Sequence, residues 1–139
     1  MSEYIGEMIT KIDFDKIINI IESSMDDYLY VMDLQADTYR ISPSALERFA
    51  IPCDFFGNAH NRCMSFIYKE DRLMITDQLR HIGEGKIKNH DMNYRWLDKK
   101  GKPVWVNGRG GVVDDKEGKP RYLIGCVNEI GNRQRADNN

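Results

Sequence analysis

The sequence predicts one α+β domain: a five-stranded antiparallel sheet with short helices on one face and a further helix at the N-terminus. Three observations carry that prediction. Residues 87–97, 103–113 and 120–130 are β-rich and are joined by two nearly identical turns, DKKGKP at 98–103 and DKEGKP at 115–120. Two more β-rich stretches, 28–34 and 38–42, stand near the start with only QAD between them. The intervening residues, 43 to 82, are patterned for helices. A chain of 139 residues is long enough for one domain with a real core and leaves little room for a second.

The elements follow in order. Residues 13–24, DFDKIINIIESS, place Phe14, Ile17, Ile18 and Ile21 at i, i+3, i+4 and i+7, one apolar stripe on a helix with Asp13 as N-cap. YLYVMDL (28–34) and TYRIS (38–42) are strands, and the short link makes them a hairpin. Pro43 opens a short helix in PSALERFA, and KEDRLMITDQLRHI (69–82) is a longer helix ended by Gly83 and Gly85. The segment between them, with Phe55, Phe56, Cys63, Met64 and Phe66, is irregular and apolar enough to be buried. The final three strands form a meander. Each repeat supplies an Asp to start the turn and a Gly for a positive φ, and Pro103 and Pro120 stand at strand starts, where a missing N–H costs least. Neither GKP has the spacing or the following Ser/Thr of a phosphate loop.

At period two, one face of the meander presents Met92, Tyr94, Trp96, Val104, Val106, Gly108, Leu123, Gly125 and Val127, an apolar set that belongs in the core. The other face presents Trp105, Tyr122 and Ile124, expected to cluster across strands and to need a cover. The helix carrying Phe14, Ile17, Ile18 and Ile21, or a second copy of the chain, is the expected cover. GRGG at 108–111 marks a bulge or a sheet bend and not an RNA contact.

Composition narrows the function. The formal net charge of −2 gives no field that would recruit nucleic acid or an anionic membrane. MSEYIGEMIT has no continuous apolar core, so it is no signal peptide, and apolar runs stay far below the roughly 20 residues of a membrane span. Cys53, Cys63 and Cys126 are odd in number and lack CxxC spacing, which argues against a disulfide framework or a zinc site and for the cytoplasm.

The order β-β-α-α-β-β-β and these turns resemble a PAS domain, in the branch whose meander reads YR, DG, W, G and DIT. The matching residues are Tyr94-Arg95, Lys100-Gly101, Trp105, Glu117-Gly118, Ile124-Gly125 and Glu129-Ile130-Gly131, and IYKEDR at 67–72 resembles the family's Pro-Glu-Asp-Arg segment. The resemblance spans roughly residues 22–135 and implies a non-catalytic sensory module. Such a module regulates an attached output domain, a diguanylate cyclase or a histidine kinase, in cyclic-di-GMP or two-component signalling. Residues 1–24 are then a capping or dimerising helix, 25–131 the PAS domain, and 132–139 the start of a linker to the output domain.

The expected pocket is small and apolar or absent. It is lined by Tyr94, Trp96, Val106, Leu123 and Val127, with Tyr30 or Met32 from the first strand and Met74 or Leu79 from the long helix. It admits a small apolar ligand. Flavin is disfavoured because Trp96, Val106 and Val127 stand where flavin-binding relatives carry amide side chains, and Cys63 in NRCMSF reads as a structural cysteine. Haem is disfavoured because His81, near a helix C-terminus, reads as a dipole-complementing residue; His60 and His90 lack metal-ligand companions. An isomerase-like cone enzyme is a remote alternative, since the inward meander face has Tyr94 but no carboxylate before Glu129. A ligand-free dimerisation domain is the nearer one. The expected partners are the output domain and a second copy, paired through the N-terminal helix and the outer sheet face. Signal exit is expected through Glu129, Gly131 and Arg133, with Glu129 paired to Arg133, Arg135 or Lys16.

Overall fold

The computed structural model describes residues 16–131. Residues 16–22 are helical (α1). They are followed by β1 (Tyr28–Asp33), β2 (Thr38–Ile41), α2 (Ala45–Arg48), β3 (Phe55–Gly57) and α3 (Ala59–Cys63). A single 3-10 turn (Lys69–Asp71) leads into α4 (Arg72–Gly83), and the meander is β4 (Asn89–Leu97), β5 (Pro103–Asp114) and β6 (Pro120–Glu129). The strands form one sheet in the order β3-β2-β1-β6-β5-β4, antiparallel throughout. The class is the expected α+β, but the sheet has six strands where the sequence predicts five. The sixth is β3, whose Phe56 pairs with Tyr39 and is buried. A three-residue strand is too short to show period two, so its sequence reads as loop.

Both repeated turns form as the residues dictate. Gly101 and Gly118 take φ of 82° and 81°, and their amides donate to Asp98 O and Asp115 O. The expected inward face is buried from Tyr94 and Trp96 across Val106 to Leu123 and Val127. Trp96 anchors it, with Phe49 and Phe66 meeting its ring edge-on at centroid distances of 5.2 and 5.5 Å. The free side of β4 is guarded by bridges from Ile67 and from Phe49 to Asp98.

GRGG has a different use from the one expected. The ladder's irregularity lies at Val113/Asp114 instead. Gly108 and Gly110 lie beneath the Tyr94 and Tyr30 hydroxyls, where any Cβ would collide with them. Gly125 is pressed against the backbone of Arg109 and Gly110.

The outer face also departs from expectation. Trp105 pairs with Arg95 near one end of β5 and Tyr122 with Val113 near the other, so Trp105, Tyr122 and Ile124 form no single cluster. The 12-residue length of β5 separates them. Arg95 lies over Trp105 and also over Tyr68, held there by a fork to Asp71, with Nε–Oδ2 at 2.9 Å and Nη2–Oδ1 at 2.7 Å. Mid-face, Asn107 donates to Asp91 and Asn93. This face is thus partly covered by its own long and polar side chains. Phe14 lies outside the described residues. In α1, Ile18 is half-buried but Ile17 and Ile21 are exposed, and Glu22 accepts from the Ser44 amide beside α2. The described part of α1 therefore reaches α2 and leaves Ile124 exposed.

Candidate functional site

Between the inner sheet face and α3 and α4 lies a cavity of about 40 Å³. The sheet contributes Tyr30 and Met32 from β1, Tyr94 and Trp96 from β4, and Leu123 and Val127 from β6; α4 contributes Leu79. Two expected residues are not at the cavity. Val106 is fully buried on the inward face but does not line the cavity, and Met74 is 41% exposed. On α4 the inward row is Ile75, Leu79 and Ile82, at i, i+4 and i+7, which turns Met74 about 100° away.

Six lining residues were not anticipated: Tyr39, Cys63, Phe66, Ile67, Ile75 and His90. Three of them, Cys63, Phe66 and Ile67, come from the segment that reads as irregular. His90 had a signal, because it continues the inward row of Met92, Tyr94 and Trp96 by one step of two.

One corner of the cavity is polar. The Tyr30 hydroxyl donates to Arg109 O at 3.2 Å, and the His90 ring lies 6.2 Å from that of Tyr94. Nδ1 of His90 is buried and has no hydrogen-bond partner. Burial drives the lining toward its uncharged forms. It lowers the pKa of His90 despite nearby Asp91, raises those of Tyr30 and Tyr94, and pushes the Cys63 thiol up to about 12. Cys63 is therefore a protonated wall residue and not a nucleophile. Among the described residues, no Asp, Glu, Lys or Arg lines the cavity. His81 lies in the last turn of α4, outside the lining, and the described residues hold no metal-ligating cluster.

The exit strand runs from the wall to the end of the sheet. Two residues beyond Val127, Glu129 is held by a two-point fork from Arg48 of α2, Nε–Oε2 and Nη2–Oε1 both at 3.1 Å. Arg48 also lies 3.8 Å from Asp98, in the first of the repeated turns. Arg48 is the Glu129 partner that the described residues show; of the expected partners, Arg133 and Arg135 lie outside the described residues, with the rest of 132–139. Gly131 is exposed at the end of the described chain. Nothing local in ALER distinguishes Arg48 from an ordinary last-turn cation.

A family described as PAS fold matches residues 40–127. No curated protein matches the chain. Among solved structures, the chain is similar to a sensory box histidine kinase/response regulator from Burkholderia thailandensis, at 17% identity and TM-score 0.65, over 86% of this chain and 88% of that one. It is also similar to the N-terminal domain of a diguanylate cyclase with PAS/PAC sensor from Marinobacter aquaeolei, at 18% identity and TM-score 0.64, over 78% and 99%. A third likeness is to a quorum-sensing receptor PAS domain from Cronobacter turicensis in complex with BDSF, at 11% identity and TM-score 0.58, over 77% and 96%. At these identities the likeness is one of fold.

Proposed function

The chain belongs to the PAS-fold family, and from that premise we propose that it is a cytoplasmic sensor module that regulates an attached output domain. A histidine kinase or a diguanylate cyclase is the output we favour, since similar folds occur in proteins of both kinds. The observation that carries the reading is the continuity of β6. Val127 forms part of the cavity wall, and two residues later Glu129 holds the sheet's exit end to α2. A change in the cavity that moves Val127 along the strand also changes the geometry of that fork. A ligand shifts output only if it favours one of two arrangements of this end. The fork is exposed on both sides, and such pairs contribute about 1 kcal/mol or less, enough to bias a nearly balanced equilibrium.

The ligand we assign to the cavity is small. Its volume of about 40 Å³ is far below the roughly 300–1,000 Å³ of ordinary ligand pockets. Flavin and haem are too large for it as it stands. We assign no catalysis to the chain itself, because none of the described residues facing the cavity is a carboxylate. A second reading, a ligand-free dimerisation domain, draws on the same small volume and on exposed Ile17, Ile20 and Ile21. Both readings have the chain pair with a second copy through α1.

The test is output activity of the full-length protein carrying Glu129→Ala or Arg48→Ala. Each variant is expected to fold with little loss of stability and to change regulated output in the same direction. Wild-type regulation in both would sink the exit route, and a monomer at micromolar concentration would sink the pairing.

A further inference from the structure

The polar corner of the cavity calls for a ligand atom of a particular kind. His90 is 5% exposed, and its Nδ1 is buried without a partner. A buried polar nitrogen left unsatisfied is costly, so the site favours any occupant that bonds it. The Tyr94 ring lies 6.2 Å from that of His90, and the Tyr30 hydroxyl, also in the lining, gives its proton to Arg109 O while its oxygen keeps lone pairs free to accept. Gly108 and Gly110 keep the floor bare beneath both tyrosine hydroxyls. Tyr39 and Cys63 also line the cavity, Leu79, Leu123 and Val127 give it an apolar wall, and among the described residues no charged side chain lines it.

On the sensing reading above, we infer that this corner binds a small neutral hydroxylic molecule whose O–H group bonds His90 Nδ1 while its apolar end lies against Leu79, Leu123 and Val127. A hydroxyl both donates and accepts, so it satisfies Nδ1 in either tautomer of the neutral imidazole. An ether or a nitrile only accepts. A carboxylate or an ammonium would give up its hydration with no counter-charge in reach. Size sets the second condition. A water needs about 10–15 Å³ of such space, so about 40 Å³ takes roughly three heavy atoms, the size of ethanol.

The experiment uses the full 139-residue chain, labelled with nitrogen-15 at histidine. Ethanol and fluoroethane, similar in shape but only one with an O–H, are titrated while the His90 ring resonances are followed. The expected result is a saturable His90 shift with ethanol and at least tenfold weaker binding of fluoroethane. His90→Phe, followed instead through carbon-13-labelled methyl groups of Leu123 and Val127, should erase that preference. Leu79→Phe, which fills the cavity from the helix side, should abolish binding of both and serves if His90→Phe does not fold. Equal affinity for the two probes would overturn the assignment. So would an absent or non-saturating shift, which would mean that the corner holds only water. Output assays separate the two claims. Ethanol binding without any change in output would refute the sensing reading and leave the site standing. Output that responds to some other molecule with His90 unmoved would do the reverse.

Discussion

The chain writes one turn twice, exchanging only Lys100 for Glu117, and the two copies differ in what they hold. In both, one carboxylate oxygen of the leading Asp closes the turn: Asp98 Oδ1 accepts from the Lys100 and Lys102 amides, and Asp115 Oδ1 from those of Glu117 and Lys119. The second oxygen faces outward. At Asp98 it meets Arg48, which is already forked to Glu129. At Asp115 it accepts from Gln35, in the β1–β2 hairpin, whose first strand ends in the Asp33–Arg121 fork. The turn is a local product of sequence, whereas its attachment is a product of the fold. The two ends of the sheet also differ in firmness. Asp33 is largely buried and Arg121 half-exposed, whereas Arg48 and Glu129 are both open to solvent. The weaker clasp is at the end where the chain leaves the sheet.

The largest effect that would test this contrast is at Asp33. Its carboxylate accepts two bonds from Arg121 and two from the Gln35 and Ala36 amides. Asp33→Ala strips four donors of their acceptor and should cost about 2–3 kcal/mol in urea denaturation, whereas Glu129→Ala should cost less than about 1. Equal losses would erase the distinction between the ends. Burial pushes the Asp33 pKa up, but the Arg121 and backbone bonds outweigh it and leave the pKa below its ordinary value. The sign follows: the unfolded chain takes up the proton first, so this contribution is complete above about pH 4 and fades as pH falls below it. Wild type should therefore lose more stability between pH 4 and 2 than Asp33→Asn does.

The next effect concerns what the two turns share. Gly101 and Gly118 have nothing within 4 Å of a built Cβ, so positive φ alone penalises a side chain there. Gly101→Val and Gly118→Val should each cost about 1–3 kcal/mol. They should also match each other to within a few tenths of that unit. A clear inequality would show that the attachments strain the turns.

The same division explains what was legible. DKKGKP, DKEGKP and the period-two rows of the meander are local, and they gave the turns, the inward face and the family. Elements defined by partners were not legible. β3 shows only three residues of pattern, and Arg48 reads as an ordinary helix-end cation until the fold brings Glu129 to it. The outer face misled for a related reason, since residue type alone does not show Arg95 lying over Trp105. Met74 and Leu79 are both apolar, and only the phase of α4 separates them. His90 could have been found, because it shares the parity of Tyr94 and Trp96. A lone histidine lacks the companions of a metal site, but a polar wall needs none.

The smallest effect separates the two attachments themselves. Asn keeps an oxygen that can close the turn, so Asp98→Asn and Asp115→Asn should both fold with the turn intact. Each aspartate's pKa is held down, at Asp98 first by the Lys102 amide and at Asp115 first by the Gln35 amide group. The outward bonds differ in charge. Asp98 faces a guanidinium at 3.8 Å, an attraction that salt screens, whereas Asp115 faces a neutral amide at 2.9 Å, which salt leaves nearly unchanged. Asp98→Asn should therefore lower the thermal midpoint at 20 mM salt by a degree or so and cease to differ from wild type at 1 M. Asp115→Asn should keep the same small offset at both concentrations. The pairing predicts one further asymmetry. Removing the Asp98 charge leaves Arg48 bound to Glu129 alone, so Asp98→Asn should shift the regulated output of the full-length protein and Asp115→Asn should not. If both variants respond to salt alike and both leave output unchanged, the exit end of the sheet is not tuned by Asp98, and the two turns are equivalent in more than their geometry.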